Sequence, residues 1–169
     1  MSLLAGFPPV STPLAHTLIL GSMPGKASLQ ARRYYAHERN AFWRIMGDLL
    51  DAGPAHPYSE RLAKLGAAGI ALWDVIAACE RESSLDADIV PASVQANDFA
   101  AFFAAHRNIR RIFFNGAAAE ASFRRHVQPV LLDSAFVQQR LPSTSPAHAA
   151  QGYAQKLAAW SAIVALPNN

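Results

Sequence analysis

The chain has 169 residues, a length that suits one domain with a core large enough to fold unaided. Apolar residues make up 51% of it and charged residues 16%, and without an acidic or basic tail this composition argues against disorder. The net charge of +3 is mild, and the longest apolar stretches fall short of the roughly 18 residues of a membrane helix. The N-terminus also lacks the pattern of a secretory signal, so we expect a cytoplasmic protein with no membrane contact.

In the first half of the chain, the apolar residues 17–20 predict a short buried strand that runs into a glycine loop. Apolar positions from Ala41 onward follow helical spacing, and Gly53 with the proline after it closes that helix. Ser59 can cap a second helix. Residues 69–73 form the next strand, which ends at Asp74.

In the second half, Asn97 begins a helix, and residues 111–114 form a strand that ends at Asn115. A helix over residues 117–127 and a last strand over residues 136–141 follow. The final helix has an apolar face made of Tyr153, Leu157, Trp160 and Val164.

Strands separated by segments of helix length favour parallel crossovers. We therefore predict an α/β fold, a three-layer α/β/α sandwich with a central, mostly parallel four-stranded sheet, in a single domain over residues 1–169. Open sheets of this type bind ligands beyond the carboxyl ends of their strands. The polar or turn-forming residues that fall there are Gly21, Asp74, Asn115 and Pro142.

Metal and thiol chemistry find little support in the sequence. Cys79 is the only cysteine, which excludes an internal disulfide and an iron–sulfur cluster held by several thiolates of this chain. The six histidines form no His-x-x-x-His pair. We expect no metal, no other cofactor, and a buried apolar environment for Cys79.

Basic residues are concentrated in two stretches, a distribution that permits contact with phosphate. The first contains Arg32, Arg33, His37 and Arg39, and the second contains Arg107, Arg110, Arg111, Arg124 and Arg125.

Two loops rich in glycine, proline and hydroxyl side chains follow predicted strands at opposite ends of the chain, over residues 21–25 and 141–148. In the second loop, Ser143, Thr144 and Ser145 precede Pro146, the pattern of a helix N-terminus with a hydroxyl cap and proline at its first position. Such an end attracts phosphate through its free N–H groups.

These loops, the aromatic stretch over residues 34–43 and Asn115 together resemble the uracil-DNA glycosylase superfamily, over about residues 17–160. The chain is most similar to the hypoxanthine-DNA glycosylase branch. Met23 stands where mismatch-specific members of the superfamily carry a water-positioning Asn, and a thioether cannot orient water in that way. Leu141 stands where His or Asn is common.

The resemblance implies roles for particular residues. Asn40 would hold or polarise the attacking water, as a neutral amide can do without being a strong base. Asn40 could equally cap the helix that starts at Ala41, and the two roles are compatible. The base edge would be contacted by backbone groups of Ser22 and Met23 and by the Asn115 amide, with Tyr35 stacked on the base.

Contact with the DNA backbone would come from the loops around the cleft. The implied contact residues are Lys26, Ser143, Thr144, Ser145 and His148. His148 could instead be a surface histidine on a helix.

The implied activity is monofunctional hydrolysis of the N-glycosidic bond of a deaminated base that is flipped out of DNA, in base-excision repair by a monomer. Hypoxanthine and uracil both present a carbonyl beside a ring N–H, so one amide could read either base, and xanthine is a third candidate. Lys26 is the only lysine in the cleft loops and suits a phosphate contact better than a Schiff base.

Two other functions remain open from the sequence. Ser22 could be the nucleophile of an acyl hydrolase with Asp74 and His148, although the Gly-x-Ser-x-Gly elbow is missing. Because of Met23 and Leu141, the chain could also be a nucleotide-binding or DNA-binding module that has no catalytic activity.

Overall fold

A computed structural model of the chain describes residues 2–131 and 135–165. Its strands are β1 (Leu4–Ala5), β2 (Thr17–Gly21), β3 (Ile70–Asp74), β4 (Ile76–Cys79), β5 (Gln95–Ala96), β6 (Arg111–Asn115) and β7 (Val137–Leu141). Its α-helices are α1 (Lys26–Ala31), α2 (Phe42–Leu50), α3 (Tyr58–Ala67), α4 (Phe99–Ala105), α5 (Ala117–His126) and α6 (Tyr153–Trp160).

The central sheet has four parallel strands in the order β3-β2-β6-β7. Alternate residues of each inner strand point to opposite faces, so both faces are buried and both are apolar. On one face, Leu18 and Phe114 pack with the aromatic side chains of α4 and α5. On the other, Ile19 and Phe113 pack with α2, α3 and α6. The predicted α/β/α sandwich with a parallel four-stranded sheet is confirmed.

A second, three-stranded antiparallel sheet has the order β1-β4-β5 and was not predicted. Strand β4 begins two residues after β3 ends, so the apolar residues on either side of Asp74 belong to two different sheets. Without a turn signal between them, the sequence gives no reason to divide this run.

The carboxyl ends of the central strands lie in register. Gly21 of β2 pairs with Asp74 of β3, and Asn115 of β6 pairs with Leu141 of β7. A Cβ on Gly21 would overlap Asp74 Oδ1 and lie 3.2 Å from the Tyr35 hydroxyl, so only glycine leaves room for both side chains. Gly116 adopts φ +93°, a conformation that glycine tolerates best, and passes closely beside Ser143.

Several predicted helix ends are corrected. Helix α3 begins at Tyr58 after Pro57, which places Ser59 inside the helix instead of at its cap. Helix α4 is capped by the Asp98 side chain, which accepts from Ala101 N–H, and Asn97 instead donates to the Asp74 carbonyl. Helix α2 ends at Leu50, where Asp51 takes a left-handed conformation, before the predicted Gly53 stop.

The predicted helix N-terminus at residues 143–146 is wrong. Residues 142–144 have no regular structure, Pro146 lies in a turn, and α6 begins only at Tyr153. Ser145 closes the turn itself, because its hydroxyl accepts from Ala147 N–H and its carbonyl accepts from His148 N–H. Over the described ranges, none of the helices combines the length and the apolar character needed to cross a membrane.

Candidate functional site

A cavity of about 320 Å³ opens at the carboxyl ends of the central strands. Six segments of the chain line it: the loop after β2, the loop before α2, the end of β3, residues 84–86, the end of β6, and the loop after β7. Of the ten site residues predicted from the sequence, nine line this cavity: Ser22, Met23, Lys26, Tyr35, Asn40, Asn115, Ser143, Thr144 and Ser145.

Asn115 is anchored to the loop after β7 through Thr144. The Thr144 N–H donates to Asn115 Oδ1 at 2.9 Å, and Asn115 Nδ2 donates to Thr144 Oγ1 at 3.0 Å. Each end of the amide then has one site left, a second hydrogen on Nδ2 and a second lone pair on Oδ1, so Asn115 is able to donate or to accept in the cavity. Thr144 is 1% exposed, so its hydroxyl orients Asn115 and is not available to a DNA strand.

Asn40 precedes Ala41, the N-cap residue of α2, and its side chain satisfies the first N–H group of the helix. Its Oδ1 accepts from the Phe42 N–H at 2.9 Å. The neighbouring Ala41 N–H donates to the Thr144 carbonyl at 3.0 Å, which fixes this end of α2 against the last loop. The Asn40 Nδ2 group, which capping does not use, leaves the amide able to donate in the cavity.

Tyr35 enters the cavity from a strained backbone conformation. Its φ is +55°, which costs a residue with a Cβ about 1–2 kcal/mol. Phe42 stacks on the Tyr35 ring with 4.0 Å between centroids, so only the other face or an edge can meet a base. Among the residues that the structure describes, the buried Tyr35 hydroxyl has no hydrogen-bond partner of normal geometry, and burial raises its pKa.

Ser22 is not arranged as a nucleophile. Its hydroxyl donates to Asp86 Oδ1 at 2.5 Å, and its carbonyl accepts from the Ile76 N–H. A backbone contact from Ser22 to a base therefore requires its N–H group. His148 does not line the cavity, so the triad of Ser22, Asp74 and His148 is not formed.

Two positions that depart from the superfamily pattern are core residues. Met23 is 7% exposed and packs with Ile76 and Cys79 against the small sheet. Leu141 is 2% exposed and packs in the core beneath α2 and α6. Cys79 itself is fully buried, as expected.

Asp74 ends β3 as a buried carboxyl group in the cavity wall. It is 5% exposed, and its Oδ2 finds no hydrogen-bond partner within the described part of the chain. Burial is the main cause that raises its pKa to about 7, and the nearby Asp86 carboxylate adds to the effect. The guanidinium of Arg81 opposes the shift.

Residues 84–86 were missed as part of the site. Asp86 holds Ser22, and Ser84 Oγ accepts from the Lys26 N–H at 2.9 Å. Arg81 supports the same segment, because it donates to the Ser83 carbonyl and to the Pro24 carbonyl of the first loop. No local pattern marks this segment, because Ser84 and Asp86 lie in a serine- and aspartate-rich stretch that is typical of a solvated turn.

The remaining predicted contact residues fall partly outside and partly inside the cavity. His148 sits in a loop and not on a helix, with its carbonyl accepting from Lys156 Nζ at 2.7 Å. Of the second basic cluster, Arg111 begins β6 at the edge opposite the cavity and donates to the Ala162 carbonyl after α6. Of the first basic cluster, His37 lines the cavity.

The chain is similar to known proteins over most of its length. A family model described as the uracil DNA glycosylase superfamily matches residues 8–164. A curated relative from Methanosarcina barkeri, named Hypoxanthine DNA glycosylase, is 37% identical over 112 residues, 66% of this chain and 70% of its own. A relative of the same name from Methanosarcina acetivorans is 33% identical over 144 residues, 85% of this chain and 87% of its own.

A solved structure shares the fold. The solution NMR structure of a candidate uracil DNA glycosylase from Methanosarcina acetivorans matches with a TM-score of 0.78 and 29% identity, over 95% of this chain and 96% of that one. The range matched by the family model includes the first loop, the four central strands and the last loop. The chain belongs to the uracil DNA glycosylase superfamily.

Proposed function

We propose that this protein is a DNA glycosylase that hydrolyses the N-glycosidic bond of a deaminated base, with hypoxanthine as its first substrate and uracil or xanthine as further candidates. The observation that carries the proposal is the cavity at the carboxyl edge of the sheet, where Asn40, Tyr35 and Asn115 meet in a chain of this superfamily. The names of the two curated relatives favour hypoxanthine. The cavity volume of about 320 Å³ is within the range of sites for small molecules.

Such a cavity can act on DNA only if the target nucleotide leaves the helix. The bond to be cut is inaccessible in a stacked duplex, and extrusion costs a few kcal/mol, least for a damaged or mispaired base. Deaminated bases pair poorly, so extrusion itself favours them.

The chemistry then needs a held leaving group and a positioned water. Asn115 donates to the base carbonyl, and the Tyr35 ring provides an aromatic surface for the base. Asn40 orients the water through its amide, and the preorganised dipoles of the cavity stabilise the charge that develops on the departing base. This arrangement contains no strong general base at Asn40, which suits a dissociative reaction.

The rim of the cavity serves the DNA backbone. Lys26 is exposed at the start of α1, and Ser143 and Ser145 present hydroxyls from the last loop. Thr144 contributes indirectly, because it holds Asn115 and the loop in place. His148 lies outside the cavity and remains a candidate for contact with a more distant phosphate.

Release of base from end-labelled oligonucleotides that contain hypoxanthine, uracil or xanthine, followed by alkali, tests the proposal. The wild type should release hypoxanthine, and Asn40→Ala should lose about 100-fold or more of that rate. Asn108→Ala, at an exposed asparagine of a turn, is the matched control and should retain it. Strand cleavage without alkali would contradict a monofunctional mechanism.

Failure to release any of these bases would contradict the proposed glycosylase activity. Tight binding of the same oligonucleotides without release would instead indicate a binding module, and turnover of an ester substrate would indicate the hydrolase.

A further inference from the structure

Leu85 is a large apolar side chain that lies exposed at the rim of the cavity. It is 50% exposed and belongs to the segment of residues 84–86 that lines the cavity. Within the described ranges, the other exposed large apolar side chains lie away from the cavity, and they are Leu3, Leu14, Val130, Val137 and Val164. Exposed leucines are common on protein surfaces, so the position of Leu85 beside a ligand cavity is the feature that needs an explanation.

The turn around Leu85 fixes its main chain. The Leu85 N–H donates to Ser83 Oγ at 2.9 Å, and the Leu85 carbonyl accepts from the Asp88 N–H at 3.1 Å. The Ser83 hydroxyl also donates to Asp88 Oδ2, which closes the turn. Because both main-chain groups of Leu85 are bonded inside the turn, its apolar side chain is the part that is left to meet a ligand.

The residues on either side of Leu85 attach this turn to the loop after β2. Ser84 Oγ accepts from the Lys26 N–H at 2.9 Å, and Asp86 Oδ1 accepts from the Ser22 hydroxyl at 2.5 Å. The main chain at Leu85 is therefore held at a fixed position relative to the cavity. A segment that is already in place loses little conformational freedom when a ligand binds, so its contact has a low entropic cost.

The chemistry of the turn indicates which part of a DNA molecule Leu85 suits. Glu82, Asp86 and Asp88 give the turn acidic side chains, which repel phosphate groups. A leucine side chain also has no polar atom with which to read the edge of a base. The faces of the stacked bases are the apolar surface of DNA, and they are the surface that a leucine can cover favourably.

Extrusion of a nucleotide exposes such faces. The base that enters the cavity leaves a gap in the stack, and proteins that distort DNA often insert leucine or another apolar side chain between base steps. The last loop also borders the cavity, but residues 142–148 include no large apolar side chain. Within the described residues, Leu85 is therefore the exposed apolar side chain at the cavity that fits this gap.

We propose that Leu85 enters the DNA base stack at the position that the extruded nucleotide vacates, and that it stabilises the extruded state by covering the exposed base faces. This assignment rests on the proposed glycosylase function. The turn of residues 83–88 holds the side chain at the rim, and the exposed Lys26, bonded to the same turn through its N–H group, supplies a positive charge to a nearby phosphate.

The test compares single-turnover release of hypoxanthine from a duplex with release from the corresponding single strand. A single strand needs little unstacking and no unpairing, so Leu85 should matter mainly in the duplex. In Leu85→Ala the ratio of the duplex rate to the single-strand rate should fall roughly 10-fold or more. Leu85→Met keeps the apolar volume and should restore most of the ratio.

Leu14→Ala is the matched control. Leu14 is a leucine that is 76% exposed, and it lies three residues before β2, at the end of the parallel sheet opposite the cavity. This variant loses the same apolar surface and should keep the wild-type ratio. Both alanine variants change exposed side chains and should remain within about 0.5 kcal/mol of the wild-type stability.

A second measurement observes the stack directly. The probe is a duplex with 2-aminopurine beside a hypoxanthine nucleotide that carries a 2′-fluorine, which slows bond cleavage by opposing positive charge on the sugar. The fluorescence of 2-aminopurine increases when it loses a stacked neighbour. Saturating wild-type protein should produce a clear increase, Leu14→Ala should reproduce it, and Leu85→Ala should produce a much smaller one.

The outcomes separate the two proposals. Failure of the wild type to release hypoxanthine from either substrate would refute the glycosylase function, and a fluorescence increase that depends on Leu85 would still support insertion into the stack. Release by the wild type with an unchanged ratio in Leu85→Ala would refute the role of Leu85 alone. Equal losses on the duplex and the single strand would also overturn it, because Leu85 would then contact the bound base in the cavity.

Discussion

Asn115 and Thr144 hold each other by two hydrogen bonds, one from the Thr144 N–H to Asn115 Oδ1 and one from Asn115 Nδ2 to Thr144 Oγ1. The Thr144 carbonyl in turn accepts from Ala41, next to Asn40. The Asn115 amide, the last loop and the start of α2 are therefore one connected unit, and disturbing its centre should affect stability and catalysis together.

Thr144→Val tests this unit. The valine keeps the shape of the side chain but removes the acceptor of a buried Nδ2 hydrogen, so we expect a loss of about 1–3 kcal/mol of unfolding free energy. Thermal unfolding should show a decrease of several degrees in Tm. Ser145→Ala, which loses only an exposed bond to Ala147, should stay within about 0.5 kcal/mol of the wild type. Equal losses of unfolding free energy in the two variants would contradict a stabilising connection through Thr144.

Asn40→Ser separates capping from catalysis. Serine caps helices about as well as asparagine, so the unfolding free energy should change little, whereas Asn40→Ala should lose about 0.5–2 kcal/mol. Both variants lack the amide and should lose about 100-fold or more in the rate of hypoxanthine release. A serine variant with the wild-type rate would show that the Asn40 amide serves only the helix.

Asp74→Asn should stabilise the protein in a pH-dependent manner. The folded state raises the pKa of Asp74 to about 7, so it keeps a proton that the unfolded chain releases near pH 4. The stability due to this proton is complete below about pH 4 and is lost as pH rises through about 7. The neutral amide avoids that loss, on the order of 4 kcal/mol at pH 8. Denaturant unfolding at pH 4 and pH 8 measures it, and an equal effect at both values would be inconsistent with a raised pKa.

Arg81→Met should loosen the first loop. Arg81 is 3% exposed and donates to the Pro24 carbonyl at 2.7 Å, so its loss leaves a buried carbonyl unpaired at a cost of about 1–3 kcal/mol. Removing the positive charge should also raise the pKa of Asp74 further. Arg124→Met, at an exposed arginine paired with Glu120, is the control and should leave the unfolding free energy and the pKa of Asp74 unchanged.

Lys26→Gln should weaken DNA binding in a salt-dependent way. If the exposed Lys26 ammonium neutralises one phosphate, the slope of log K against log salt concentration should decrease in magnitude by about 0.9. Lys64→Gln removes an equal charge from α3. The Lys64 ammonium is paired with Asp51, so the slope should stay unchanged. Fluorescence anisotropy of a labelled duplex from low to moderate salt distinguishes the two results.

The sequence was sufficient for the features that repeat locally. The apolar strands 17–20 and 111–114 and the turn residues after them predicted the parallel sheet and the edge where the candidate site lies. It was insufficient where contacts are distant in the chain, as for Asp86, which reaches Ser22 across 64 positions. The Ser-Pro pattern at residues 145–146 predicted a helix, but the serine hydroxyl closes a turn instead, and hydroxyl residues favour either outcome.

The bond between Ala41 and Thr144 joins two main-chain groups. Neither group depends on a side chain. Single substitutions at Ala41 or Thr144 therefore leave the donor and the acceptor of this hydrogen bond in place, except for proline at Ala41, which has no N–H group. A change in the length of the segment between Leu141 and His148 would move the Thr144 carbonyl and break it. Among homologues, this last loop should therefore vary freely in composition at its exposed positions while its length stays constant.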